Sequence, residues 1–287
     1  SGRMGAAEIG LQALTTHRAE EAGQLAKKLN ALNSQRQGIE GQILNQIEKI
    51  LEGLKEQEKK RTLVFAGNGW HQGVLGLVAS RLAYRFHRPT LVLSVQDGSA
   101  IGSGRSIGEF DLHSALGRLD ALFERFGGHK LAVGFKMKAE NVATLKEEFE
   151  KVGHEWLSED DLIPTIEIDA ELKLADLTRN AVNQIKTLAP FGTGNPEPLF
   201  YTHSLSVMSS RIVGEGHLKL RLREGKKSME AIGFRQAEKR PLEGQKVHAV
   251  YTPEINYWQG NETLQLKMAD LSVMNEHSGP LRLHEIQ

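Results

Sequence analysis

The sequence predicts an α/β domain followed by a small all-β barrel, with a long helix ahead of both. Three observations predict it. Apolar residues recur at helical spacing from residue 6 to about 54. Strand and helix patterns alternate between residues 60 and 157. Five β-type runs separated by turn residues then fill residues 199 to 273.

The helix stripe reads Leu25, Leu29, Leu32, Ile39, Ile43, Ile47, Ile50 and Leu54, interrupted by Arg36. Unbroken, a helix near 50 residues would be about 75 Å long. Such a helix pairs in a coiled coil or connects two bodies. In the α/β part, Thr62 to Ala66 and Pro89 to Val95 read as strands, and Gly73 to Phe86 as a helix. Ile101 to Ser106 is glycine-rich, His113 to Phe126 reads as a helix, Lys130 to Met137 as a strand and Asn141 to Leu157 as a closing helix.

Beyond it, Ile163 to Leu174 reads as a strand, Asp176 to Leu188 as a short helix and residues 189–198 as a turn-rich connector. The five β runs are Leu199 to Met208, His217 to Arg223, Ser228 to Phe234, Lys246 to Tyr257 and Thr263 to Val273. The expected division is 1–58 for the N-terminal end and long helix, 59–160 for the α/β domain, 161–275 for the barrel and 276–287 for a tail expected to fray.

Composition narrows the function classes. The chain has 287 residues, enough for two ordinary domains. No apolar run reaches bilayer-spanning length, and no charged-then-apolar leader opens the chain, so a cytoplasmic, non-membrane protein is expected. The absence of cysteine excludes disulfides, thiolate metal sites and cysteine nucleophiles. Net charge is zero, so global charge does not announce a nucleic-acid partner. The distribution is uneven, however. Lys136 to Asp176 holds 12 acidic and 5 basic residues, whereas Arg211 to Lys246 holds 10 basic and 5 acidic. Such asymmetry can make one face attractive to phosphates, although a pair of solvated surfaces is the plainer reading.

Four places could carry chemistry. In Gly102-Ser103-Gly104-Arg105-Ser106 the glycines would let backbone amides cradle an anion, and Arg105 offers a planar bidentate fork. A tight turn with a surface arginine is the alternative. In Phe126-Gly127-Gly128-His129-Lys130, Gly127 suits a helix C-cap, while His129 and Lys130 beside bare backbone suit a phosphate. Trp70-His71-Gln72-Gly73-Val74 opens a helix, a ready anion site, unless Trp70 only anchors packing and Gly73 only eases the turn. Period two along His217 to Arg223 puts Lys219, Arg221 and Arg223 on one face and the leucines in the core. Tyr251, Tyr257 and Trp258 are then available for stacking, and a basic groove with aromatic platforms holds single strands without reading sequence. An amphipathic edge strand is the alternative. The eleven histidines form no close pair in sequence, and no metal-binding, nucleophile-elbow or Walker motif is present.

The ordered motifs resemble those of the RecJ-type single-strand-specific 5′-to-3′ exonucleases of the DHH/DHHA1 family. The run Trp70 to Val74, Ala79-Ser80-Arg81, Phe86-His87-Arg88-Pro89, Gly102 to Ser106 and Phe126 to His129 is similar to a DHHA1 domain. Pro190-Phe191-Gly192, Pro196 to Phe200, Arg211 to Gly214 and His217-Leu218-Lys219 are similar to that family's OB-fold barrel. Ser1 to Gly5 is similar to the glycine-arginine end of the DHH domain, with a vector-derived remnant as the other reading of residues 1–3.

The resemblance implies several roles. Manganese or magnesium would bind in a DHH domain that this chain lacks, no metal would be bound by the chain itself, and the chain alone would be inactive. Arg105 with Ser103, Gly104 and Ser106 would hold the 5′ end of single-stranded DNA. Gly127, Gly128 and His129 would contact the nucleotide near the scissile phosphate, with His129 as the residue nearest the chemistry. Arg3 and His71 would help to grip the strand, and Arg211, Lys219, Arg221 and Tyr257 would extend its path. A single-strand-binding protein and a helicase would be partners in DNA repair and recombination. A non-catalytic nucleic-acid-binding scaffold, or a phosphodiesterase acting on short RNA, remain the alternatives.

Overall fold

A computed structural model describes residues 2–5, 7–52, 60–258 and 260–274. It divides into two compact units, residues 1–164 and 165–287. Within the described residues no helix is long and apolar enough to cross a membrane.

The first unit opens with two helices rather than one: α1 (Glu8–Thr15) and α2 (Ala19–Glu52). Thr16 turns extended at φ −68°, ψ 137°, and its hydroxyl accepts the Arg18 amide at 3.2 Å. Two successive β-branched threonines are poor helix formers, and this local side-chain turn outcompetes the helix. On α2, Ile43 and Ile47 are buried, whereas Ile50 is 39% exposed and so leaves the expected stripe. Leu54 lies outside the described residues.

The interruption at Arg36 has a structural use. It pairs at 2.6 Å with Glu40, which is buried and also receives Nε of Arg81 from α3 (Gln72–Phe86) at 2.6 Å. A buried carboxylate needs such partners, and this one ties α2 to α3. Arg36→Ala combined with Arg81→Ala strands Glu40 and is expected to cost about 3–5 kcal/mol in urea unfolding. Glu40→Ala leaves two guanidiniums that reach solvent and should cost less.

The unit's sheet runs β1 (Leu63–Asn68), β2 (Thr90–Gln96), β3 (Ser99–Arg105), β5 (Ala132–Lys138), β4 (Phe123–His129). Only β1 and β2 are parallel, joined by α3. One face carries Leu63, Phe65 and Val92 against α2 and α3. The other carries Leu91, Leu93, Val133 and Phe135 against α4 (Leu112–Gly117) and α5 (Val142–Trp156).

Two expectations fail in this unit. The glycine-rich segment belongs to a strand, Ser99–Arg105, and is not a tight turn. The helix expected over 113–126 ends at Gly117, and Phe123 begins β4 instead. Phe123 and Phe126 pack on the core that contains Phe135 and Met137. That cross-strand aromatic burial outweighs a helical spacing only three positions deep. Gly127 consequently lies within a strand and caps no helix.

The second unit is a closed five-stranded barrel. β7 (Phe200–Val213), β8 (His217–Glu224), β9 (Lys227–Gly233), β11 (Asn261–Val273) and β10 (Lys246–Trp258) pair in that order, and β10 returns to β7. The helix in this unit, α6 (Arg179–Lys186), is capped by the Thr178 hydroxyl. The strand expected over 163–174 reduces to β6 (Ala170–Glu171), and Ile163 and Ile166 stay exposed without joining the core. Leu218, Leu220 and Leu222 fill the interior, as alternation requires.

Tyr251 corrects another expectation. It is fully buried, hydrogen-bonded to the Thr202 hydroxyl at 2.6 Å, and offers no stacking surface. Burial pushes its phenol up to about 12; the Thr202 bond partly offsets this, and Glu224 and Asp176 add to it. An unfolded tyrosine titrates near 10. The folded state therefore holds the proton more tightly. That contribution is complete below about pH 10 and is lost as pH rises toward 12, by up to about 3 kcal/mol. Tyr251→Phe is expected to flatten this alkaline loss when unfolding is followed by circular dichroism.

Candidate functional site: an exposed sheet face with two motifs in register

Neither glycine motif is a loop, yet pairing brings them together. Register carries Arg105 of β3 to Ala132 of β5 and on to His129 of β4. The next rows are Gly104–Val133–Gly128 and Ser103–Gly134–Gly127. At about 5 Å per strand step, Arg105 and His129 stand about 10 Å apart. Alternation then assigns faces. Ser103, Arg105, Gly127, His129, Ala132 and Gly134 share one face, and Gly102, Gly104 and Val133 point to the core.

The glycines divide accordingly. A Cβ on Gly102 would lie 2.1 Å from the Phe135 ring, and one on Gly104 would meet Leu91, Val133 and Leu112 below 3 Å. These two glycines serve packing, and the strand ladder uses their amides, so the expected amide cradle around Gly104 is not formed. Gly128 combines φ 148° with a Cβ position 2.2 Å from the Ala132 carbonyl, which only glycine tolerates. Gly127 and Gly134 face each other across β4 and β5, are exposed, and would meet nothing within 4 Å. Glycine weakens a strand, and no backbone conformation requires it at these two positions. They leave a bare floor in a shallow hollow of about 430 Å³, edged by Ile101, Arg125 and Lys136.

Helix α3 packs on β2 and β3 over this face, ending the covered part at Gly76, whose Cβ would stand 2.9 Å from Nη2 of Arg105. Arg105 is therefore half-buried. Its Nη1 donates to the Gly104 carbonyl at 2.7 Å and the Ser103 hydroxyl at 3.2 Å. Among the described residues it has no carboxylate partner. Burial lowers its pKa, and the charge of Arg3 lowers it further, so two guanidiniums lie near each other. Arg105 remains cationic at neutral pH. Arg3 is exposed, and its carbonyl would sit 2.0 Å from a Cβ on Gly73, which is the reason for glycine there.

The remaining expected residues divide between site and scaffold. The exposed His129 imidazole makes no side-chain hydrogen bond among the described residues. Ser106 is engaged internally, its hydroxyl donating to the Phe110 carbonyl at 2.8 Å. His71 caps α3, with Nδ1 accepting the Gly73 amide at 3.2 Å, so the helix start is already satisfied. Trp70 is buried and donates to Gln46 at 2.7 Å. Arg125 and Gly134 were not legible as site residues. Arg125 precedes His129 by four residues on β4 and shares its face by alternation, and strand pairing sets Gly134 of β5 against Gly127.

On the barrel, Arg211 of β7 pairs with Lys219 of β8, and Lys219 with Ile232 of β9. Arg221 opposes Ser209 and Glu230 in the adjoining outward row. Glu230 lies 3.7 Å from Lys219 and 4.0 Å from Arg221, muting both, while Arg211 is exposed with no ion pair among the described residues. Tyr257 is 65% exposed with Lys186 5.9 Å from its ring centre. Nothing is described of the Trp258 side chain. His203 and His248, distant in sequence, come within 4.5 Å and share the Tyr201 hydroxyl. Burial, then the charge of His203, lowers the His248 pKa.

Among the described residues no three metal-ligating side chains converge. No donor set among the described residues fits the manganese or magnesium that the resemblance implies.

Comparison with known proteins agrees with this architecture. Residues 59–155 match the DHHA1 domain model and residues 168–270 the RecJ OB domain model. The chain is 31% identical over 279 residues to the single-stranded-DNA-specific exonuclease RecJ of Bacillus subtilis, covering 95% of this chain and 35% of that protein. The Escherichia coli protein of the same name is 33% identical over 279 residues, covering 93% and 48%. The crystal structure of RecJ in complex with Mn2+ from Thermus thermophilus matches with a TM-score of 0.80 at 28% identity, over 98% of this chain and 40% of that one. The chain thus spans less than half the length of these relatives. With a DHHA1 domain followed by a RecJ OB domain, the chain belongs to the RecJ family.

Proposed function

We propose that this chain is the substrate-gripping region of a RecJ-type 5′-to-3′ single-stranded-DNA exonuclease acting in repair and recombination. The observation that supports it most is the register row joining Arg105 to His129 on a sheet face that α3 covers only over β2 and β3. An arginine that is half-buried, unpaired with any carboxylate and repelled by a neighbouring arginine is stabilised by a phosphate. Arg105 binds the 5′-terminal phosphate with its planar fork, aided by Arg3. His129, across Ala132 in the same row and beside the glycine floor, faces the next phosphate, where it orients the strand. The bare backbone at Gly127 and Gly134 admits the sugar and base closely. The barrel face with Arg211, Lys219 and Arg221 holds the strand farther from its 5′ end, and Tyr257 offers a further contact.

The metal ions and the hydrolysis belong to the DHH domain of such enzymes. The chain alone is expected to bind and not to cut. With 5′-phosphorylated oligo-dT and manganese, retention of the intact strand together with binding that weakens steeply with salt is the expected result. Robust release of mononucleotides by the chain alone would contradict the division of labour. Binding indifferent to salt would contradict the phosphate grip. The partners expected in the parent protein are a single-strand-binding protein and a helicase.

A further inference from the structure

The barrel closes where β10 returns to β7, and this seam is irregular. Thr202 pairs with Ala249 and Leu205 with Val247, so His203 and Ser204 of β7 together oppose the single residue His248 of β10. Such a bulge re-aims side chains. Ser204 within it adopts φ 58°, a left-handed conformation that a non-glycine residue holds only under constraint. His203 thereby lies against His248, with ring centres 4.5 Å apart. Both Nδ1 atoms meet the Tyr201 hydroxyl, at 2.7 Å from His248 and 3.2 Å from His203. Tyr201 is buried, His248 half-buried and His203 exposed.

One hydroxyl has one proton to give. It donates to one Nδ1 and accepts from the Nδ1–H of the other ring, which satisfies the neutral pair. A first added proton goes to the bare Nε2 of the donating ring and leaves both bonds intact. A second aims both Nδ1–H groups at one oxygen and sets two positive rings 4.5 Å apart. Burial, then Glu171, raises the Tyr201 pKa, so the hydroxyl does not shed its own proton to relieve this. The surroundings offer little compensation. Glu171 of β6 pairs in register with Tyr201. On β10, Lys246 shares the face of His248 by alternation and adds positive charge. On β11, Ser272 opposes His248, and Asp270, two residues earlier, is already paired with Lys239. Among the described residues neither imidazole has a carboxylate partner; their shared partner is Tyr201.

We propose that His203 and His248, bridged by the Tyr201 hydroxyl, form a proton-operated latch on the β7–β10 seam, closed while the pair holds at most one added proton and released by a second. An unfolded histidine titrates near 6.5. The seam refuses a proton that the unfolded chain accepts there. Its contribution to stability is therefore complete above about pH 6.5 and is lost as pH falls below that value. Release acts on the pairs that close the barrel, Leu205 with Val247 and Thr202 with Ala249, and leaves the β8–β9 hairpin paired. The latch stands on the barrel's own geometry and holds whether or not the chain grips a single strand.

The test is hydrogen–deuterium exchange of the full chain at about pH 7.5 and about pH 5.5, corrected for the intrinsic pH dependence of amide exchange, with a chelator present. In the parent chain, protection of peptides covering 200–206 and 246–251 is expected to fall about tenfold or more at the lower pH, while β8 and β9 change less. His203→Asn leaves one imidazole to share the hydroxyl and should abolish most of that fall. His203→Gln, at the same exposed position, should do likewise, and circular dichroism at the higher pH checks that both variants fold as the parent does. An equal fall in parent and variants would overturn the latch, as would no fall in the parent. A variant that lowers protection equally at both pH values, with the pH difference intact, would show a merely structural histidine and overturn it too.

Discussion

Arg105→Ala is expected to lower affinity for a 5′-phosphorylated single strand about 10- to 100-fold while changing affinity for the 5′-hydroxyl strand much less. A hydrogen bond to a charged group is worth about 1.5–3 kcal/mol, and the terminal phosphate is the most highly charged group that the fork can meet. The fork is aimed by neutral acceptors on its own strand, the Gly104 carbonyl and the Ser103 hydroxyl, and not by a carboxylate that would compete for it. Arg105→Lys should fall between the two, because it keeps charge and loses the planar geometry. Fluorescence anisotropy with the two strands at equal ionic strength reads the difference. Equal losses on both would remove Arg105 from the 5′ end.

The second large effect separates the two kinds of glycine on β4 and β5. Gly134→Val places side-chain atoms into open space on the exposed face, at a backbone conformation any residue adopts. Thermal stability should stay the same or rise by up to about 1 kcal/mol, since valine favours strands. Binding of single strands should fall at least tenfold, because the branched side chain fills the hollow edged by Ile101, Arg125 and Lys136. Gly128→Ala should do the opposite kind of damage. Its Cβ would lie 2.2 Å from the Ala132 carbonyl at a positive φ, so destabilisation of about 2 kcal/mol or more is expected. Unfolding and binding measured on the same preparations distinguish a floor from a fold requirement. Unchanged binding by a stable Gly134→Val would show that the hollow is unused.

Much of this architecture was legible in the residues. The barrel strands alternate cleanly, so Leu218, Leu220 and Leu222 declare the core and Lys219 and Arg221 the surface. The closing amphipathic helix of the α/β unit was equally plain, because Leu145, Phe149 and Val152 recur at helical spacing and are buried. What failed did so for local physical reasons. Glycines in Ile101 to Ser106 look like a loop, but here they thin a central strand so that Phe135 and Leu91 can pack against it. Phe123 fits a helical stripe as well as a strand, and pairing with Met137 decides for the strand.

The site was legible as a set of residue types and not as a place. Arg105 and His129 were identifiable from their motifs, whereas the row that aligns them passes through Ala132, which advertises nothing. Gly134 joins them only through strand order, and Arg125 only once β4 is seen to be a strand with alternating faces. Tyr251 shows the converse limit, since an aromatic residue in a basic barrel can be entirely internal. Phe234, by pattern no more than the end of a strand, is the exposed ring instead.

Photocrosslinking with 5-iodouracil at the 5′-terminal position of a phosphorylated single strand tests the central claim most directly. Crosslinks mapped by mass spectrometry to the peptide spanning Arg125 to Gly134, suppressed by Arg105→Ala, are the expected result. Crosslinks confined to the barrel, or to the α4 and α5 side of the sheet, would contradict it.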